Sequence, residues 1–344
     1  VKAPLHIPHS RPRFGHSFFK GLARVLESGH VAMGREAEAL EKEVSDFLEM
    51  PHAAAVDSGT SALMLAVRAL KGTRSNFVVG VPAYVCCAVS FAVRAAGAVP
   101  RGMDCGPDLR LLPEQVNAMA SQLDAVVLVH PFGLVEPLVA ETWPCPVIED
   151  IAQGAGGRLH GRPVGSYGDV TIASFYATKP WGGAAGGMIL SKDVSIHTAV
   201  LAMRYADGAG LDQDYAGNHQ LSDIHAAMAR TRFAQAEAER ERRRHITQKF
   251  DAWLRDKAAT PVAGLAEGSC FRYIVRMPCD AAGLIDALRA SGIDACRPVS
   301  AYPDRTLFPG AAQAWESCVS LPLLGDFSSE ELQYVKGTLD KCLS

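Results

Sequence analysis

The chain has 344 residues, 48% of them hydrophobic, and a formal net charge of −3 at pH 7. That length allows one large or two smaller hydrophobic cores. The balance gives no charge-driven affinity for nucleic acid or an anionic membrane, and no apolar run approaches the roughly 20 residues of a membrane span.

The opening stretch VKAPLHIPHSRPRFG lacks the apolar centre of a signal peptide, so a cytoplasmic location is expected. Nine cysteines, odd in number and without a CxxC pair, suit reduced thiols. The eleven histidines show no HExxH or HxxxH spacing and predict no metal site. Residues 17–49 predict two helices with a break near Ser28–Gly29. Leu40, Val44 and Leu48 recur at four-residue spacing and give the second helix one apolar face.

Beyond, short apolar runs alternate with amphipathic stretches. The runs are FVVGVP (77–82), AVVLVHP (125–131), PVIED (146–150), DVTIASFY (169–176) and GMIL (187–190); the helix candidates lie at 61–71, 86–96, 113–121 and 194–205. This alternation predicts an α/β fold with a mostly parallel sheet covered on both faces. A long charged helix is expected over 222–257, with RERRR (240–244) as a solvated face. A smaller region follows, with FRYIVRMP as a strand and AAGLIDALRASG and SSEELQYVKGTLDKCL as helices. The domain boundary is expected near residue 240, dividing 1–240 from 241–344.

Three features precede Lys179 in an informative order. Ser58-Gly59-Thr60 opens a helix marked by Leu63, Val67 and Leu70, and a helix start with small hydroxyl residues suits a phosphate. PVIED carries Glu149-Asp150 at a strand end, with Gln153 just after, where ligands bind in open α/β sheets. The strand TIASFYATK carries Ser174, is expected to end at Lys179, and is followed by glycines that let a cofactor approach. An amine, an acid and an anion cradle meet the needs of pyridoxal 5'-phosphate: a Schiff base, a partner for the ring nitrogen and a phosphate site.

With those residues in hand, the chain resembles the pyridoxal-phosphate-dependent nucleotide-sugar aminotransferases of the DegT/StrS type. The likeness runs almost end to end, through VDSGTSALMLAV, VIEDIAQGAGG, GRPVGSYGDVTIASFYATK, GGMILSKD and GNHQLSDIHAAMARTRF. It implies fold type I: a large domain with a mostly parallel seven-stranded sheet flanked by helices, plus a smaller C-terminal α+β domain. It also implies ping-pong transfer from an amino acid, glutamate or glutamine, to a keto-sugar that is nucleotide-linked. By resemblance Lys179 forms the internal aldimine, Asp150 faces the pyridine nitrogen and Gln153 lies near the phenolic oxygen. Gly59, Thr60 and Ser174 would hold the phosphate. Asn218 would reach the phosphate of the opposite subunit in a homodimer with shared sites.

The chain departs from the family pattern at several places. Cys86 stands where an aromatic residue usually stacks on the cofactor, with Tyr84 two positions earlier as a substitute to weigh. Gln220 replaces an arginine, Ala185 a glutamate, and RPVSAYPDR (297–305) lacks the usual histidine. Tyr302 and Arg305 match a substrate region by position. The rivals are an acceptor that is a cyclitol or another non-sugar carbonyl, a dehydratase, which Lys179 speaks against, and a catalytically silent protein that keeps the fold.

Overall fold

The computed structural model describes residues 5–209 and 214–343. Helix α1 (His16–Ser28) stops where Gly29 turns left-handed at φ 71°, as the sequence break predicts. Helix α2 (Arg35–Leu48) buries Leu40, Val44 and Leu48. Its first turn is capped from afar: the Asp223 carboxylate accepts N–H bonds from Gly34 (2.9 Å), Glu36 (3.2 Å) and Ala37 (3.0 Å).

The alternating region builds in chain order β1 (His52–Val56), α3 (Gly59–Lys71), β2 (Val78–Pro82), α4 (Ala88–Ala95), β3 (Val99–Met103), α5 (Pro113–Met119), β4 (Ala125–Val129) and β5 (Val147–Asp150). A two-stranded hairpin, β6 (Arg158–Leu159) and β7 (Arg162–Pro163), leads to β8 (Val170–Ser174), β9 (Gly187–Ser191) and α6 (Val194–Arg204). The large sheet has seven strands in the order β1-β9-β8-β5-β4-β2-β3. Strand β9 pairs antiparallel with both β1 and β8, and all other pairs are parallel. Six strands therefore point their carboxyl ends to one edge. Every residue of β4, β5 and β9 is buried, which is why these strands read as continuous apolar runs. Strands β1 and β3 escaped the sequence reading: HAAAV has little β-branched character, and VPRGM is half-exposed.

Two expectations are corrected here. After a short α7 (Ala206–Ala209), the charged helix over 222–257 is two helices, α8 (Asp223–Phe233) and α9 (Ala236–Leu254), separated by a turn at Ala234–Gln235. The break lets α8 stay packed on α1 and α2 while α9 continues toward a second sheet. The lysine strand ends at Ser174 rather than Lys179, because Tyr176 to Gly182 form tight turns, with Lys179 N–H donating to the Tyr176 carbonyl (2.8 Å).

The second sheet has three strands, β10 (Thr260–Pro261), β11 (Tyr273–Arg276) and β12 (Cys318–Leu321), all antiparallel. Helices α10 (Ala282–Ala290), α11 (Pro309–Ser317) and α12 (Ser329–Cys342) complete this part, α12 with a Ser328–Glu331 capping box. The N-terminal segment touches both parts. Ile7 bridges to Ile293 and Arg11 pairs with Glu331 (2.6 Å), while α1 packs on α8. Among the described residues, no helix is long and apolar enough to cross a membrane, and no cluster of His, Cys, Asp or Glu is suited to a metal.

Candidate active site

The carboxyl edge of the large sheet gathers what the sequence scattered. A cavity of about 240 Å³ opens there, and Gly59, Thr60, Cys86, Asp150, Gln153, Ser174 and Lys179 all border it. The chain needs no distortion to bring them together. Ser58 and Gly59 follow β1, Asp150 ends β5, Ser174 ends β8 and Cys86 follows β2, so parallel strands deliver them to one place.

Ser58 caps α3 by accepting the Ser61 N–H (3.1 Å), and the positive end of that helix borders the cavity. Gly59 is required by crowding: a Cβ there would sit 2.9 Å from Ser174 Cβ and 3.2 Å from its Oγ. Glycine thus lets the Ser174 hydroxyl approach the helix start, where both can serve one anion.

Asp150 is 5% exposed, and its Oδ1 accepts the Ala152 N–H (2.8 Å). Burial pushes its pKa up, against the Ala152 N–H and the charges of Lys179 and His130. A cation in the cavity would favour the carboxylate form. Burial lowers the Lys179 pKa, Asp150 opposes that, and Arg272 adds to it. The Lys179 amine therefore loses its proton more readily than a surface lysine. Gln153 Oε1 accepts the Phe132 N–H (2.7 Å), which leaves its NH₂ to face the cavity.

Glu149, beside Asp150, plays another part. Its buried carboxylate accepts N–H bonds from Gly165 (2.5 Å), Tyr167 (2.9 Å) and Gly168 (2.9 Å). His130 Nδ1 accepts the Glu136 N–H, so its Nε2 carries the proton and donates to Glu149 Oε1 (3.0 Å). Burial raises the Glu149 pKa, but His130 and the backbone donors outweigh it and hold the group below the usual value. Glu149→Ala is expected to cost about 3–5 kcal/mol, because it strands these donors, as denaturant unfolding would measure. The stabilisation from this depressed pKa is complete above the unfolded value of about 4.3 and is lost as pH falls through the lower folded one. Acid unfolding of Glu149→Gln should accordingly be less pH-dependent than that of wild type.

Other candidates fall elsewhere. Tyr84 does not substitute for a stacking residue: it is 2% exposed, packs on Phe132 and donates to the Ala314 carbonyl (3.3 Å). Trp181, two residues after Lys179, is buried edge-on against Phe47 and Phe233 and does not reach the cavity. Tyr176 borders the cavity and is exposed. Tyr302 and Arg305 both engage Glu316 and border no cavity shared with Lys179. Asn218 does not line its own chain's cavity; it bridges to Tyr205, while neighbouring His219 contacts Tyr215 (2.7 Å) and Asp57 (3.4 Å). Asp57, which borders the cavity, was not singled out from sequence, since an acid before SGT has no signature of its own.

The model of the DegT/DnrJ/EryC1/StrS aminotransferase family matches residues 12–340. The chain belongs to that family. Among its relatives, the UDP-N-acetyl-3-dehydro-α-D-glucosamine 3-aminotransferase of Acidithiobacillus ferrooxidans is 26% identical, over 94% of this chain and 93% of that protein. DesV of Streptomyces venezuelae, solved with a ketimine intermediate, is 26% identical with a TM-score of 0.85, over 94% of this chain and 93% of that one. Spr1654 of Streptococcus pneumoniae in its PLP form shares the fold, with a TM-score of 0.87 at 22% identity over 99% of this chain and 100% of that one. The cofactor of this DegT-family aminotransferase is pyridoxal 5'-phosphate, and its cavity fits that group. The glycine-cleared helix start suits the phosphate, and the Asp150 oxygen not engaged by Ala152 suits a ring N–H. When bound, the cofactor supplies an electrophilic carbon for amines and a ring that accepts electrons as a Cα–H bond breaks.

Proposed function

We propose that the protein transfers the amino group of an amino acid, glutamate or glutamine, to the carbonyl of a keto-sugar carried on a nucleotide. The observation that carries this reading is the convergence of Lys179 and Asp150 on one cavity with a glycine-cleared helix start. Lys179, with its lowered pKa, takes the proton from the donor's Cα and returns one to the acceptor's carbon in the reverse half-reaction. Asp150 would set negative charge against the ring nitrogen. The Ser58–Thr60 turn and Ser174 would hold the phosphate, and the Gln153 amide would restrain the ring. The two half-reactions share one site, hence ping-pong order.

The relative that aminates a UDP-linked 3-keto-sugar supports the acceptor class. The test incubates PLP-loaded protein with glutamate and UDP-N-acetyl-3-dehydro-glucosamine, then seeks the amino-sugar by mass spectrometry. Amination of cyclitol ketones, with every nucleotide-linked keto-sugar left untouched, would overturn the acceptor.

We also infer a homodimer. Asn218 lies outside its own chain's cavity, which supports a role toward a partner's site, and light scattering measures the assembly. The nine cysteines, all unpaired, support a reducing cytoplasmic setting. We place the domain boundary near residue 240, inside α9, where the chain passes from the large sheet to the three-stranded one.

A further inference from the structure

Lys179 also borders a second cavity, of about 270 Å³, that shares no other lining residue with the first. Six arginines line it: Arg11, Arg13, Arg232, Arg242, Arg243 and Arg272. Two come from the RERRR run, read from sequence as a solvated face: Arg242, 53% exposed, and Arg243, 20% exposed, border this cavity. The acids that line it are already engaged. Glu239 pairs with Arg242 (2.5 Å) and Arg243 (3.0 Å), and Asp326 pairs with Arg11 (3.2 Å) and with Arg13.

Arg272 is different. Its Nη1 donates to Ser10 Oγ (2.7 Å) and to the His9 carbonyl (3.4 Å), and its guanidinium lies 4.4 Å from the centre of the Phe271 ring. Among the described residues no carboxylate forms an ion pair with it. Burial lowers its pKa to about 10; Cys296 opposes this and Arg243 adds to it. A guanidinium kept in such a place without an anion is costly, and the cost is recovered if a ligand brings the anion.

Position says which ligand. The Lys179 amine lies 5.0 Å from the centre of that same Phe271 ring, so the unpaired cation and the proton-carrying amine flank one aromatic side chain. An α-amino acid carries its carboxylate on the carbon that Lys179 must reach. Gripping that carboxylate at Arg272 therefore brings Cα toward the amine, with the planar fork suited to two parallel hydrogen bonds.

We propose that Arg272 anchors the α-carboxylate of the amino donor, and that the arginine-lined cavity is the donor subsite. The inference rests on the aminotransferase reading above. A second free charge refines it. Arg232 donates to the carbonyls of Gly182 (3.2 Å) and Arg13 (2.7 Å), and it too lacks an ion-pair partner among the described residues. Two unpaired guanidinium groups in one cavity suit a dicarboxylate, which selects glutamate over glutamine.

The test has two readouts. Calorimetric titration of the PLP-loaded protein with glutarate, which has both carboxylates and no amino group, measures binding without turnover. Wild type is expected to bind it, and Arg272→Ala to bind it roughly 30-fold or more weakly. Arg272→Lys, which keeps charge without the fork and guards against misfolding, should fall between, and Lys42→Ala on the exposed face of α2 should match wild type. In turnover, Arg272→Ala should raise KM for glutamate and leave KM for the acceptor unchanged. Equal glutarate binding by wild type and both Arg272 variants, or a loss confined to UDP binding, overturns the anchor. Glutarate held through Arg272 in a protein that aminates nothing would leave the anchor standing and defeat the proposed reaction. Normal amination with donor KM unmoved in Arg272→Ala would defeat the anchor alone.

Discussion

Lys179→Ala is expected to abolish the visible absorbance band of the PLP-loaded protein and to cut turnover on the order of 10⁴-fold. Both effects follow from one amine. Lys179 is the lysine that borders the cavity, and burial beside Arg272 makes it give up its proton below the usual lysine value. Removing it takes away the nucleophile and the proton carrier together. Borohydride followed by peptide mapping should locate the cofactor on Lys179 in wild type and nowhere in the variant. In wild type the acid limb of activity should reflect this lowered pKa, with turnover falling as the amine becomes protonated. A variant that keeps both its band and its turnover would defeat the assignment.

Asp150→Asn tests the other half of the constellation and predicts two opposite changes. Asparagine can still accept the Ala152 N–H, so the local turn survives. The negative charge against the ring nitrogen is gone, and turnover should drop by on the order of 10²–10³-fold. Stability of the cofactor-free protein should rise. Burial places the folded Asp150 pKa above its unfolded value near 3.9, so the unfolded chain ionises first and stability declines as pH rises between the two. Above that window the buried carboxylate is a net cost that asparagine removes. Denaturant unfolding of the apoproteins at neutral pH checks the sign, and a less stable Asp150→Asn would contradict it. Glu149, one residue earlier, shows the reverse case: it is buried too, but three N–H groups and His130 stabilise its charge. Adjacent acids on one strand point to opposite faces, which is why one braces a loop and the other serves the cavity.

The contrast between those two acids shows how far sequence reading reaches. VIED announced a strand end carrying acids, and the motif order around Lys179 announced a cofactor. The side-chain alternation that separates Glu149 from Asp150 becomes informative only once the cavity side of the sheet is known. The same limit applies to Tyr84 and Trp181. An aromatic residue near a motif can stack on a ligand or fill a core, and local sequence does not distinguish them. The break at Ala234–Gln235 was illegible for a related reason, since both residues sit comfortably in a helix and only packing on two different layers demands the turn.

By itself the sequence determined the large-sheet alternation, the helix faces, and the ordered run of glycine, acid, glutamine, serine and lysine that specifies a cofactor, because these are set by short-range periodicity and by spacing along one chain. Tertiary structure alone decided which charges lack partners. Arg272 meets Ser10 from 262 residues away and shares a ring with Lys179 from another sheet, while the arginines of α9 all find acids on their own helix. Whether a charge is satisfied depends on every segment folded against it, and no local window of sequence contains that information.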